Sequence, residues 1–175
     1  MKTILLLAAA LLTSGAAHAG DKIAPEEYIC AQFMAAGVAE APVFEALQLD
    51  GNYAAANGET VADPALVTPI LEEVFTVCGE KPEARVYPLW ETARKGHPAP
   101  TEGKWRADKS TCADFIADED NASGFIIWLD AYQRKLGKST ASILESDKKA
   151  NDFMAACRKN PQSLMLDLMK KEAAR

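Results

Sequence analysis

The sequence predicts an all-α protein made of two small, related helical halves in tandem, each closed by one internal disulfide. Three observations predict it. Four cysteines sit in an internal echo, proline and glycine punctuate a succession of helical segments, and no stretch alternates with period two for long enough to argue for a sheet.

The echo sets the organisation. Cys30-Ala-Gln-Phe33-Met-Ala35 returns as Cys112-Ala-Asp-Phe115-Ile-Ala117. Phe44…Leu49-Asp50-Gly-Asn-Tyr53 has a looser counterpart in Phe125…Leu129-Asp130-Ala-Tyr132, and Cys78-Gly-Glu-Lys-Pro82 in Cys157-Arg-Lys-Asn-Pro161. The offsets are 82, then 80 or 79, then 79, as a duplication with small loop changes would leave. Four cysteines allow three pairings, and a duplicated unit favours Cys30–Cys78 and Cys112–Cys157. In the chain-entropy model each bridge is worth roughly 4 kcal/mol. A half this small commonly needs such a staple beside its core.

The elements follow in order. Pro25 and two glutamates open a first helix to about Ala36, and Pro42 opens a second that stops at Asn57-Gly58. Asp63-Pro64 reads as N-cap and first-turn proline of the helix holding Cys78, and Pro82 opens a fourth that ends at Gly96. In the second half Thr111 caps the Cys112 helix, with Asp114 as its capping-box partner. Phe125, Trp128, Leu129, Tyr132 and Leu136 lie at helical spacing before Gly137. Asn160-Pro161 caps a last helix carrying Leu164, Met165 and Leu168 on one face. Pro69 and Pro88 imply kinks or breaks in the first half. The Gly- and Pro-rich stretch 97–104 reads as an exposed linker, between a first repeat at 20–96 and a second at 105–175.

The N-terminus reads as a cleavable export signal, residues 1–19. Lys2 supplies the positive charge, Ile4 to Leu12 is an unbroken apolar run, and Ala17-His18-Ala19 offers the small-x-small cleavage pattern. The run is too short to span a bilayer, which takes roughly 20 apolar residues. The expected product is a periplasmic protein beginning near Gly20, with no membrane insertion. An even cysteine count in an exported chain points to disulfides.

Without the leader the formal charge is −7, unevenly spread: 20–97 carries 13 acidic and 5 basic residues, 98–175 carries 12 and 13. A nucleic-acid partner is not expected, because its footprint would be basic. No cofactor or metal is expected either. No cysteine pair has zinc spacing, His97 is the only histidine after the leader, and Asp118-Glu119-Asp120 lacks the further ligands and glycine of a calcium loop. That acidic run suits a helix N-terminus instead. No catalytic residues are expected: no phosphate loop, nucleophile elbow or metalloprotease motif is present. What stands out is Phe125-Ile126-Ile127-Trp128-Leu129, apolar on nearly every side of a helix. One small half cannot easily bury all five, so part of that surface should meet the other half, a second copy, or a client protein. Met154, Met165 and Met169 add adaptable apolar surface.

The second half resembles the HdeA family of periplasmic acid-stress chaperones. Trp105, Ser110-Thr-Cys112-Ala-Asp-Phe115-Ile-Ala117, Trp128-Leu-Asp-Ala-Tyr132 and Ala155-Ala-Cys157-Arg-Lys-Asn-Pro161 carry the likeness, over roughly 105–172. The first half shares the Cys-x-x-Phe start and Cys-x3-Pro end, but has Ile29 before its cysteine, Gln32 in place of Asp, and extra prolines. The resemblance implies an ATP-independent holdase for acid-unfolded periplasmic clients, inactive when folded near neutral pH, with the tandem acting as a pseudo-dimer or pairing further into a homodimer. Below about pH 3 the formal charge would pass from −7 to about +20. A periplasmic binding module or inhibitor with one protein partner and no acid switch is the other reading open at this point.

Overall fold

The computed structural model describes residues 24–35 and 41–175, so the leader and the start near Gly20 lie outside the described residues. The chain is all-α: α1 (Cys30–Ala35), α2 (Ala41–Asn57), α3 (Pro64–Glu80) and α4 (Val86–Gly96) are followed by α5 (Cys112–Ala117), α6 (Ser123–Gly137), α7 (Asp147–Lys159) and α8 (Met165–Ala173). Short 3-10 turns occupy Pro25–Glu27, Glu119–Asn121 and Ile143–Glu145. The one sheet among the described residues is a two-residue antiparallel pair, β1 (Val61–Ala62) with β2 (Trp105–Arg106).

The two sets of four helices are built alike. Disulfides join Cys30 to Cys78 (α1 to α3) and Cys112 to Cys157 (α5 to α7). In the first set the N–H groups of Cys30 and Ala31 donate to Ala84 O and Pro82 O, both at 2.8 Å. In the second, Cys112 and Ala113 donate to Ser163 O (2.9 Å) and Pro161 O (2.7 Å). Isolated bridges at Ile29–Arg85 and Thr111–Leu164 complete the match.

These bonds explain where the expected helix boundaries were displaced. The first helix does not run from Pro25 to Ala36. It breaks at Tyr28-Ile29, where Tyr28 O accepts from Val86 N (3.0 Å) and Ile29 bridges to Arg85. Pro82 and Pro161 do not open helices, because their carbonyls serve the first turns of α1 and α5. Helices α4 and α8 therefore begin later, at Val86 and Met165. Pro88 consequently falls in the first turn of α4, where a missing N–H costs nothing, and α3 continues through Pro69. Elsewhere the local signals decide. Asp63 Oδ1 accepts from Ala65 N (2.9 Å), and Thr111 with Asp114 makes a complete capping box.

The two sets share one apolar core that runs from Cys30 and Phe33 through Leu49, Trp90, Phe125, Trp128 and Phe153 to Met169. Its centre is the crossing of α2 with α6, the most extensive helix contact in the chain. The backbones meet at Gly51, where a Cβ would lie 2.1 Å from Trp128 O and 3.2 Å from Ala131 Cβ. No helix among the described residues is long and apolar enough to cross a membrane.

Candidate functional site: the junction between the halves

The apolar segment singled out in the sequence lies at this junction. Phe125, Trp128 and Leu129 are buried, while Ile126 and Ile127 are half-buried against the same core. A surface too large for one small half is thus covered chiefly by α2 of the other. Aromatic rings form a row along α6: Trp105 stacks on Phe125 (5.0 Å between centroids), Phe125 on Trp128 (6.0 Å), and Trp128 on Tyr132 (4.9 Å). Near-parallel stacks of this kind add roughly 0.5–1.5 kcal/mol per pair beyond burial.

The sequence did not single out the polar groups buried with that row. Asp50 on α2 accepts from Arg94 Nε of α4 (2.8 Å) and, across the junction, from Trp128 Nε1 (2.9 Å). Arg94 is only 1 % exposed; its other nitrogens bond Glu59 (2.7 Å) and the His97 carbonyl. The corresponding aspartate on α6, Asp130, accepts from Arg134 Nε (3.1 Å), Ser142 Oγ (2.8 Å) and Ile143 N (3.0 Å). Gln48 also ties the halves together, donating to Ile127 O at 2.6 Å and accepting from Arg134. The ion pairs Arg94–Asp50 and Arg134–Asp130 each stay within their own half. Where α2 meets α6, apolar packing crosses together with the bonds of Trp128, Gln48 and Arg134. One signal in the sequence pointed here: an aspartate after a leucine, Leu49-Asp50 and Leu129-Asp130, returning at an offset of 80.

The carboxylates divide into two groups by environment. Burial pushes Glu45 up to about 7, and its Oε2 has no partner. Burial also raises Asp130 and Glu59, outweighing the opposing pull of Arg134 and Arg94 respectively. By contrast Asp108, Asp114 and Asp118 are held below the usual aspartate range, chiefly by bonds from Arg106, the Thr111 N–H and Lys104. The acidic run is therefore engaged with cations of the chain: Asp118 with Lys104, and Glu119 with Arg158.

Glu45 yields a prediction with a definite sign. Its folded-state pKa lies above the unfolded value of 4.5, so the stability linked to its proton is complete below 4.5 and lost as pH rises through about 7. Partial access of solvent to the carboxyl screens the effect, so a shift of this size corresponds to about 3 kcal/mol at most. Glu45→Gln, which stays neutral, is expected to flatten that decline. Urea denaturation at pH 4.5 and pH 8 checks it: the variant should match the native chain in acid and exceed it at pH 8.

The comparisons with known proteins bear on the half that carries the aromatic row. Residues 90–167 match the HdeA/HdeB family. The HdeA/HdeB segment starts at Trp90 in α4, takes in the connection and the second disulfide, and ends at Asp167 in α8. It covers somewhat under half of the chain and leaves α1 to α3 outside. Proteins of the HdeA/HdeB family are known as periplasmic acid-stress chaperones and not as enzymes. Two disulfides fit the oxidising compartment in which that family works. No curated protein and no solved structure matches the chain.

Proposed function

We propose that the protein is a periplasmic, ATP-independent holdase in which two HdeA-like repeats, 20–96 and 105–175, stand in for a dimer of single units. In acid the halves loosen and expose apolar surface to unfolding clients, with Phe125-Ile126-Ile127-Trp128-Leu129 at its centre. The observation that carries this reading is the burial of that segment at the junction of the halves, within the HdeA/HdeB match. Covered, the surface is inert; uncovered, it is an apolar patch of the kind that captures other chains. The disulfides are indifferent to acid and would keep each loosened half compact. The expected result is suppression of aggregation of an acid-denatured client at pH 2 and none at pH 7. Equal activity at both values, or none at pH 2, would refute it.

One observation favours the alternative, a binding module with a defined protein partner and no acid switch. Glu45 and Asp130 are buried and shifted upward, so their protonation in acid favours the packed junction instead of opening it. Under that reading tryptophan emission stays that of the folded chain at pH 2–3. Under the holdase reading it moves toward the exposed value, with binding of an apolar dye.

A further inference from the structure

We propose that Lys104, Trp105 and Arg106 form a strap between the halves that acid releases first, baring the Phe125 end of the aromatic row before the α2–α6 crossing opens. The inference rests on the holdase reading only for what the bared surface is used for.

The strap is built from both halves. Its backbone belongs to the β-pair with the first half, Ala62 opposite Trp105 and Val61 opposite Arg106, extended by Ala107 N donating to Thr60 O at 2.8 Å. Just before it the chain passes so close to the first half that a Cβ on Gly103 would lie 2.6 Å from Val61 Cγ1. The Trp105 ring points the other way and is buried on Phe125 of the second half. Trp105 thus closes one end of the row, as Tyr132 closes the other.

Each flank of Trp105 is held by an aspartate. Lys104 bonds Asp118, and its ammonium lies 5.3 Å over the Trp105 ring. Arg106 is gripped in two places by Asp108, Nε on Oδ1 and Nη2 on Oδ2, both at 3.0 Å. The same guanidinium reaches Thr60 Oγ1 (3.1 Å) and Thr101 O (2.9 Å). The other groups facing this cluster are few. Glu102 faces Arg106, Asp114 of α5 faces Lys104, Asn121 donates to Asp118 at 2.7 Å, and Tyr132 of α6 lies within the field of Asp108.

Acid acts on these flanks and on the crossing with opposite sign. Asp108 and Asp118 are held below the usual aspartate range, so their hold on the strap is complete above an unfolded pKa near 3.8 and lost as pH falls below it. Lys104, Arg106 and Lys109 then remain as cations on a short segment that has lost its two bonded carboxylates. On the two crossing helices, Glu45 of α2 and Asp130 of α6 shed buried charge on protonation, which favours the folded form of each. Exposed ion pairs also contribute little each, as a part that opens before the core requires.

The test is fluorine NMR of the full chain made with 5-fluorotryptophan, its three resonances assigned by single Trp→Phe variants and followed from pH 7 to pH 2. The expected result is that Trp105 acquires the solvent-exposed signal at a higher pH than Trp90 and Trp128. Three resonances moving together, or Trp105 moving last or not at all, overturn the proposal. The doubly neutral variant D108N/D118N is expected to shift Trp105 release upward by at least one pH unit with Trp128 unmoved; a Trp105 titration that superposes on the native one overturns it. Client aggregation measured alongside keeps the two readings apart. Release without holdase action removes the function and leaves the strap, whereas holdase action with Trp105 still covered removes the strap.

Discussion

Gly51→Ala is expected to force α2 and α6 apart and to expose apolar surface at neutral pH. The new methyl group would sit 2.1 Å from Trp128 O and 3.0 Å from its carbonyl carbon, and both atoms belong to the α6 backbone. A flexible side chain in that position could turn away; a helix backbone in a shared core yields only by moving the helix. Helix propensity works the other way, since Ala is better than Gly in a helix interior by roughly 1 kcal/mol. Overpacking of a close-packed core costs typically about 1–3 kcal/mol and occasionally more, and here it falls on the contact that joins the halves. The balance is a net loss of up to about 2 kcal/mol. Two measurements check it: the urea midpoint at pH 7, and dye binding by the native fraction at the same pH. At Gly124 the nearest atom to a new Cβ is Leu47 Cδ1 at 3.6 Å, an ordinary contact at the end of a flexible side chain. Gly124→Ala is therefore the control, expected to be nearly neutral. Should both alanines behave alike, the close crossing is not what Gly51 provides.

How much of this was legible in the sequence depends on whether a residue's partner is near it in the chain. Asp63 capping α3, Thr111 and Asp114 boxing α5, and Gly58 after α2 act within a few residues, and the pattern shows them. The cysteine echo is long-range but exact in residue type, so the two-part organisation shows as well. Pro82 and Pro161 carried the right local signal for a helix start and were overridden. Their carbonyls bond to Ala31 and Ala113, 51 and 48 positions earlier, which no local pattern encodes. The same distance hid the polar centre of the junction. Asp50 meets Arg94 and Trp128 across 44 and 78 positions, and Gln48 meets Arg134 across 86. On the helix itself Gln48 and Asn52 share one face and Asp50 lies opposite, so no local pattern marks the three as buried. In the fold α2 is buried without interruption from Glu45 to Ala54, so it has no solvated face there. Gly51 likewise reads as a weak point in a helix until the crossing shows that nothing larger fits.

Arg94→Leu is expected to cost more than the loss of any exposed charge, because it strands Asp50. The arginine side chain is 1 % exposed and the aspartate 2 %, so neither has water as a substitute partner. With Arg94 gone, Asp50 keeps only the Trp128 indole donor, and Glu59 loses its cation as well. Breaking a buried ion pair from one side costs about 3–5 kcal/mol, most of it the desolvation of the charge left behind. That origin dictates the compensating change. In R94L/D50N the buried charge is removed, while the amide oxygen of the new side chain still accepts from Trp128, so a substantial part of the loss should return. Denaturation of the two single variants and the double variant at pH 7 gives the coupling directly. A double variant as unstable as the sum of the singles would mean that Arg94 acts through packing of its stem. If the coupling is recovered and Trp128 emission stays native in the double variant, the junction is held by satisfied hydrogen bonds and needs no buried charge. An acid switch would then have to work elsewhere than at Asp50, which is where the strap around Trp105 places it.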